Sequence, residues 1–316
     1  MSSSIKDIKE FSKLFRIRIP VESEFDYYVE TLARSPEFHW LPEKVEEFAK
    51  FEEEIGEEEV GSHKMAALSH LKRILGNTRT YYDFSRYDAG VPGHRRDNLH
   101  RHRGQFLLTI DIKQSSYAVF RAFDRYREFP ETWEEFCEEE QIPKLFSSSK
   151  PWCQLVFGNL NPKRSLRFQH IFMQCFTDLL RPLGFRDDVL LTMGPDEATL
   201  IIGETAEEAA QTMQAVQLVA EMVAGPDCSD LIPWPFRGTL EIQSRAHRLE
   251  TIGKGAYVRE KYVLKDGNLE LSHKSLFGVP GSQYFMHFKK DILEEEYDDR
   301  DLLFYSDHKL AKWVID

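Results

Sequence analysis

The sequence predicts an α+β chain: a mainly antiparallel sheet with helices on one side. Three observations carry this. A nearly unbroken apolar, β-prone run, "FLLTIDI" from Phe106 to Ile112, reads as a central strand. Two more apolar runs flank Gly194, Pro195, Asp196 and Glu197, and the tight-turn chemistry of Pro and Asp makes them a hairpin. Segments of helical period separate these strands, so the middle of the chain reads strand, helix, helix, hairpin, helix, strand, hairpin.

Residues 1–92 form a mainly helical N-terminal region. In "LPEKVEEFAKFEEEIGEEEVG", Leu41, Val45, Phe48 and Phe51 recur near helical spacing. Its acids read as a solvated face, with a partner surface as the alternative. A second helix covers about 62–75 and stops at Gly76 and Asn77. After the strand at Phe106–Ile112, a helix runs from Ser115 to about Glu128, and "ETWEEFCEEE" is another. Residues 141–163, rich in Ser, Pro, Lys and Asn, read as a long connection holding a short strand, "CQLVFG". A helix from about Ser165 to Leu180 closes before Pro182 and Gly184. The hairpin strands are Asp188–Met193 and Ala198–Ile202, followed by an amphipathic helix over Glu204–Ala224. Phe236–Ile242 is a further strand, and a last hairpin turns at Asp266 and Gly267. Residues 93–290 thus form one domain with an insertion at about 130–163, and 291–316 form a charged extension, partly helical, packed on the body. The strand-helix-hairpin-helix-strand order leaves room for a ferredoxin-like core.

Composition sets limits on function. The chain has 316 residues, 41% of them apolar, which is a globular balance. A formal net charge of −12 gives an average field that repels nucleic acid and anionic membrane. No apolar run approaches the about 18 residues of a membrane span, and "MSSSIKDIKEF" contains no signal-peptide core. Cys137, Cys153, Cys175 and Cys228 show no CxxC spacing and read as reduced thiols. A cytoplasmic protein without a membrane partner is expected. Against the acidic background stands "GVPGHRRDNLHRHRG", with Arg95, Arg96, Arg101 and Arg103. It is either a solvated linker or a clamp for phosphate or RNA, because the Arg fork matches phosphate oxygens. The same arginines oppose a cation on its histidines.

The acids carry the sharpest functional signal. Asp111 ends its strand, and Asp196 and Glu197 occupy the hairpin turn. In a ferredoxin-like sheet these elements are neighbours, so the carboxylates face one another. Carboxylates forced together repel unless a cation separates them, and Mg²⁺ or Mn²⁺ suits oxygen ligands and substrate phosphates. Two such ions activate an attacking hydroxyl and stabilise leaving pyrophosphate. The acids also have plainer uses: Asp111 as a helix N-cap, and Asp196 as a turn residue beside Pro195. Lys113, Gln114, Ser115 and Ser116 make the turn into the next helix, where amides favour a triphosphate or simply cap the helix. Arg245, His247, Arg248, Lys254 and Arg259 follow a later strand. Lys254, between Gly253 and Gly255, suits close phosphate approach, with a solvated loop as the alternative.

A strand carrying "TIDIK", a helix, and a hairpin with "MGPDEATLII" resemble the palm domain. That core is shared by class III nucleotide cyclases, diguanylate cyclases, tRNA-His guanylyltransferases and many polymerases. The resemblance covers residues 104–245. Pro195 stands where the cyclase hairpin has its second Gly. The resemblance implies two metal ions held by Asp111, the main-chain carbonyl of Ile112, and Asp196 or Glu197. It implies nucleotidyl transfer on a nucleoside triphosphate with pyrophosphate release, cyclase-like first. An RNA-directed, tRNA-modifying transferase and an inactive palm that binds protein or nucleotide are the alternatives. It also implies a homodimer that completes the site.

Overall fold

The computed structural model describes residues 5–56, 59–87, 95–96, 99–185, 189–224, 240–306 and 309–314. Helices α1 (Ile8–Phe15), α2 (Phe25–Ala33), α3 (Leu41–Ile55), α4 (Val60–Gly76) and α5 (Arg79–Arg86) precede strands β1 (Arg95–Arg96) and β2 (Phe106–Ile112). Then come α6 (Ser115–Arg121), α7 (Trp133–Glu139), α8 (Lys144–Ser147), α9 (Lys150–Leu160) and α10 (Pro162–Leu180). The hairpin β3 (Leu190–Met193) and β4 (Glu197–Gly203) leads to α11 (Ala206–Ala224). Strands β5 (Ile242–Gly253), β6 (Ala256–Lys265) and β7 (Asn268–Phe277), helix α12 (Tyr284–His287), and strands β8 (Leu303–Ser306) and β9 (Lys309–Lys312) complete the order. The fold is α+β, with an antiparallel sheet flanked by helices.

The main sheet has the order β1-β3-β4-β2-β5-β6-β7. The pairs β1–β3, β3–β4, β4–β2 and β2–β5 are all antiparallel. β2 therefore lies between β4 and β5, as its apolar run predicts. Only Thr109 and Asp111 in β2 escape full burial. The β3–β4 turn closes through the Gly194 N–H on the Glu197 carbonyl at 2.7 Å. At the β6–β7 turn, Asp266 and Gly267 take φ of 48° and 82°, the paired left-handed geometry of a two-residue hairpin.

Contacts divide the chain into two units. The first holds Met1–Met65, Leu249–Lys261 and Leu271–Asp316; the second holds Ala66–Arg248 and Tyr262–Glu270. In the second unit Phe84 of α5 packs on Phe120, Phe123 and Phe168 at 5.4–5.6 Å between ring centroids, which ties α5 to the sheet-bearing unit. In the first unit Phe11 meets Phe25 and Phe48, and Tyr28 meets Phe285 at 4.4 Å. One member of the acidic run is not solvated: buried Glu52 accepts the N–H groups of Lys6 and Asp7 at the entry to α1.

Other segments depart from the sequence reading. The stretch read as a connection with a strand is helical. The Ser149 hydroxyl accepts the Trp152 N–H at 3.1 Å and Pro151 fills the first turn, so "CQLVFG" continues α9 and buries Cys153, Val156 and Phe157. Helix α6 ends at Arg121, short of 128, because the Asp124 carboxylate takes the N–H groups of Glu128 and Phe129 at 2.8 Å. β5 runs through Gly253, so residues read as a cation-rich loop lie in a strand. The expected strand residues 236–239 and residue 188 lie outside the described residues. The tail has no regular α-helix beyond α12 among the described residues; it continues as a five-residue π-turn, Phe288–Ile292, and the β8–β9 pair. Among the described residues no helix is long and apolar enough to cross a membrane.

Candidate functional site at the end of the central strand

The site is built at the C-terminal end of β2. Register sets Asp111 opposite Glu197 of β4 on one side and Gln243 of β5 on the other. Cα atoms so paired lie about 5 Å apart, with side chains on one face. Asp196 is held in place twice. Its carbonyl accepts the Ile112 N–H at 3.0 Å, and its Oδ2 accepts the Ser115 hydroxyl at 3.0 Å. The two segments that carry the acids are thus joined by backbone and by side chain.

Burial pushes the Asp111 carboxyl above the usual carboxylate range. The guanidinium of Arg245 and the ammonium of Lys150 pull the other way, and the nearby charge of Asp196 raises it further. Arg245 lies one alternate position along β5 from Gln243, and its Nη2 donates to Gln243 Oε1 at 2.9 Å. Lys150 opens α9.

A cavity of about 250 Å³ meets Asp111. One wall is the end of β2 and the turn after it, from Asp111 to Ser116. Gln243 and Arg245 of β5 form another. The third comes from the insertion: Trp133, Glu134, Ser147, Ser148, Lys150 and Gln154. Trp133 is locked there by its Nε1–H on the Ser147 carbonyl at 3.1 Å. Asp111 and Ser115 belong both to this cavity and to the acid group; Asp196 and Glu197 approach from the β4 side and do not line it.

The turn residues have partners within the fold. Lys113 Nζ reaches Glu241 at 2.8 Å. Gln114, with φ of 47°, donates to both carboxylate oxygens of Glu134, at 2.9 and 2.7 Å. Helix α6 has seven residues and starts without a side-chain cap, so Asp111 is not its N-cap.

The structure separates the other expected phosphate ligands. Arg101 and Arg103 are exposed and precede β2, at the far end of the strand from Asp111. The strand sets its first residue, Phe106, about 17 Å from Asp111. The backbone of Arg95 pairs with Met193 and that of Arg96 with Thr192, which puts them on an edge strand at the hairpin end of the sheet. Lys254 sits in the β5–β6 turn and is not among the residues that line the cavity. Lys150 is the residue the sequence reading missed. Its signal was the Ser-Lys-Pro start of a helix in the segment taken for a connection.

Among the described residues no group of three or more His, Cys, Asp or Glu side chains is placed to hold an ion. The oxygen donors at this strand end are the carboxylates of Asp111 and Asp196, which interact electrostatically, Glu197 in register with Asp111, and the Ile112 carbonyl. Their chemistry fits a hard divalent ion, since Mg²⁺ is often held by one or two carboxylates with water and substrate phosphate completing the shell. No protein-family model matches this chain, and no curated protein matches it.

Proposed function

We propose that this chain is a metal-dependent nucleotidyl-transfer enzyme acting on a nucleoside triphosphate, cyclase-like in that the attacking hydroxyl is itself a nucleotide's. One observation carries the reading: Asp111, which lines a polar cavity at the end of the central strand, pairs in register with Glu197 and feels the charge of Asp196. The strand order β3-β4-β2-β5, with helices in both crossovers, supports a ferredoxin-like palm.

In this reading a hydroxyl gives up its proton to solvent as its oxygen forms a bond to the α-phosphorus, the bridging bond to the β-phosphate breaks, and pyrophosphate leaves. Bound divalent ions would neutralise charge at the attacking and leaving oxygens. Asp111 and Asp196 would hold those ions, with the Ile112 carbonyl and Glu197 within the same strand pair. Ser115 fixes the Asp196 carboxylate, so one ligand is already oriented. Base selectivity would fall to the insertion wall of the cavity. Arg95 and Arg96, at the hairpin end, favour an RNA-directed transferase as the second reading.

Mn²⁺ titration of wild type and Asp111→Asn tests the metal site. Wild type should bind and the variant should bind at least about tenfold more weakly; equal affinity removes the enzymatic reading and leaves a binding module. Incubation with each nucleoside triphosphate and Mg²⁺, with and without RNA, then separates the two enzymes by product mass. Cyclic or dinucleotide product without RNA supports the first; extended RNA supports the second.

A further inference from the structure

Lys150 and Arg245 come from elements distant in sequence, an inserted helix and a sheet strand, yet both line the cavity that opens on Asp111. Both side chains are on exposed residues. A site built to hold cations has no use for two fixed cations beside its central carboxylate, because they oppose metal binding. The same groups are well matched to phosphate. We infer that Lys150 and Arg245 are exchangeable counterions: from beyond ion-pairing distance they offset part of the Asp111 charge in the free protein, and they pass to the substrate's polyphosphate when a metal ion binds. This deepens the nucleotidyl-transfer reading and rests on it for the identity of the anion.

The geometry supports exchange rather than a permanent ion pair. Neither cation has a carboxylate within ion-pairing distance among the described contacts, although both act on Asp111 at longer range. Arg245 is oriented by the neutral Gln243, which keeps the guanidinium at the cavity without discharging it. Lys113, in contrast, is held by Glu241 outside the acid group. The insertion thereby has a role beyond shape: it delivers the ammonium that makes an empty acidic site tolerable.

The inference gives two effects of opposite sign from one substitution. Removing Lys150 should strengthen Mn²⁺ binding to the protein alone and weaken polyphosphate binding. The experiment measures Mn²⁺ by electron paramagnetic resonance and inorganic tripolyphosphate by calorimetry in chelator, on wild type, Lys150→Ala, Lys150→Arg and Arg245→Ala. Lys150→Ala and Arg245→Ala should each bind Mn²⁺ about two- to fivefold more tightly, the scale of an exposed charge interaction. Each should bind tripolyphosphate about tenfold more weakly, the scale of a charged hydrogen bond. Lys150→Arg should retain both wild-type affinities. Loss of both affinities together means that these residues only support the fold, and no change in either means that they are bystanders; both results overturn the inference. If wild type binds no Mn²⁺, the metal reading falls, and the tripolyphosphate arm decides alone: weakening in both Ala variants keeps the phosphate role, and unchanged binding ends it.

Discussion

Asp111 is a strand residue placed against its own stability. Its carboxyl is lifted above the usual range chiefly by burial, so the folded chain holds that proton more tightly than the unfolded chain does. The stability it contributes is fully present below the ordinary carboxylate value and is lost as pH rises through the raised one. At neutral pH the ionised group is a net cost, and Asp111→Asn should raise thermal stability by about 0.5–2 kcal/mol, as stabilising changes at functional sites do. Melting curves at pH 7 and near pH 4 check this: the gain should shrink at the lower pH. A variant less stable at pH 7 would mean that Asp111 is a structural partner. Asp111 and the hairpin acids were legible in the sequence because their signals are local. The strand alternates side to side, and Pro195 marks the turn. The closeness of Asp111 to Lys150 was not legible, since it depends on an element folding back across the chain.

Helix α9 shows what separates a legible element from an illegible one. "CQLVFG" has the β-branched and aromatic content of a strand, but buried Trp152, Cys153, Val156 and Phe157 fall at helical spacing. The deciding residue lies before the run: Ser149 is a buried N-cap. At the Asp266–Gly267 turn, by contrast, two residues fix the geometry, and the hairpin was read correctly. Ser149→Ala should cost about 1 kcal/mol, the usual worth of such a cap, with fraying centred on the first turn of α9. Because Lys150 is the next residue, the same change should weaken tripolyphosphate binding, while Ser148→Ala, one residue earlier and exposed, should spare stability. Denaturant melts compare the two; equal effects would remove the cap from the account. Glu52 makes the same point in α3, where an acid in a charged run is buried to hold the start of another helix.

For the whole molecule, charge is the constraint that separates the two enzymatic readings. A chain of net charge −12 repels a polyanion at long range and must bind one through local cations. The basic segment is split by the fold. Arg95 and Arg96 lie toward the hairpin end of the sheet, whereas Arg101 and Arg103 precede the opposite end of β2. An RNA held by all four would bridge both ends of the sheet. Single-strand binding through four phosphate contacts would fall about fiftyfold between about 50 and 200 mM salt. A nucleoside triphosphate inside the cavity would be held by the few cations that line it, Lys113, Lys150 and Arg245, so its RNA-free turnover should fall by less than about fivefold over the same range. Product formation measured across that salt series, with and without RNA, decides the matter. A shallow RNA-free profile fits the cyclase-like reading, since the substrate phosphates would then be neutralised at short range. A steep profile that appears only with RNA, and flattens when Arg95 and Arg96 are replaced by Ala, would instead make the edge strand the substrate track and the acidic surface the device that rejects unspecific nucleic acid.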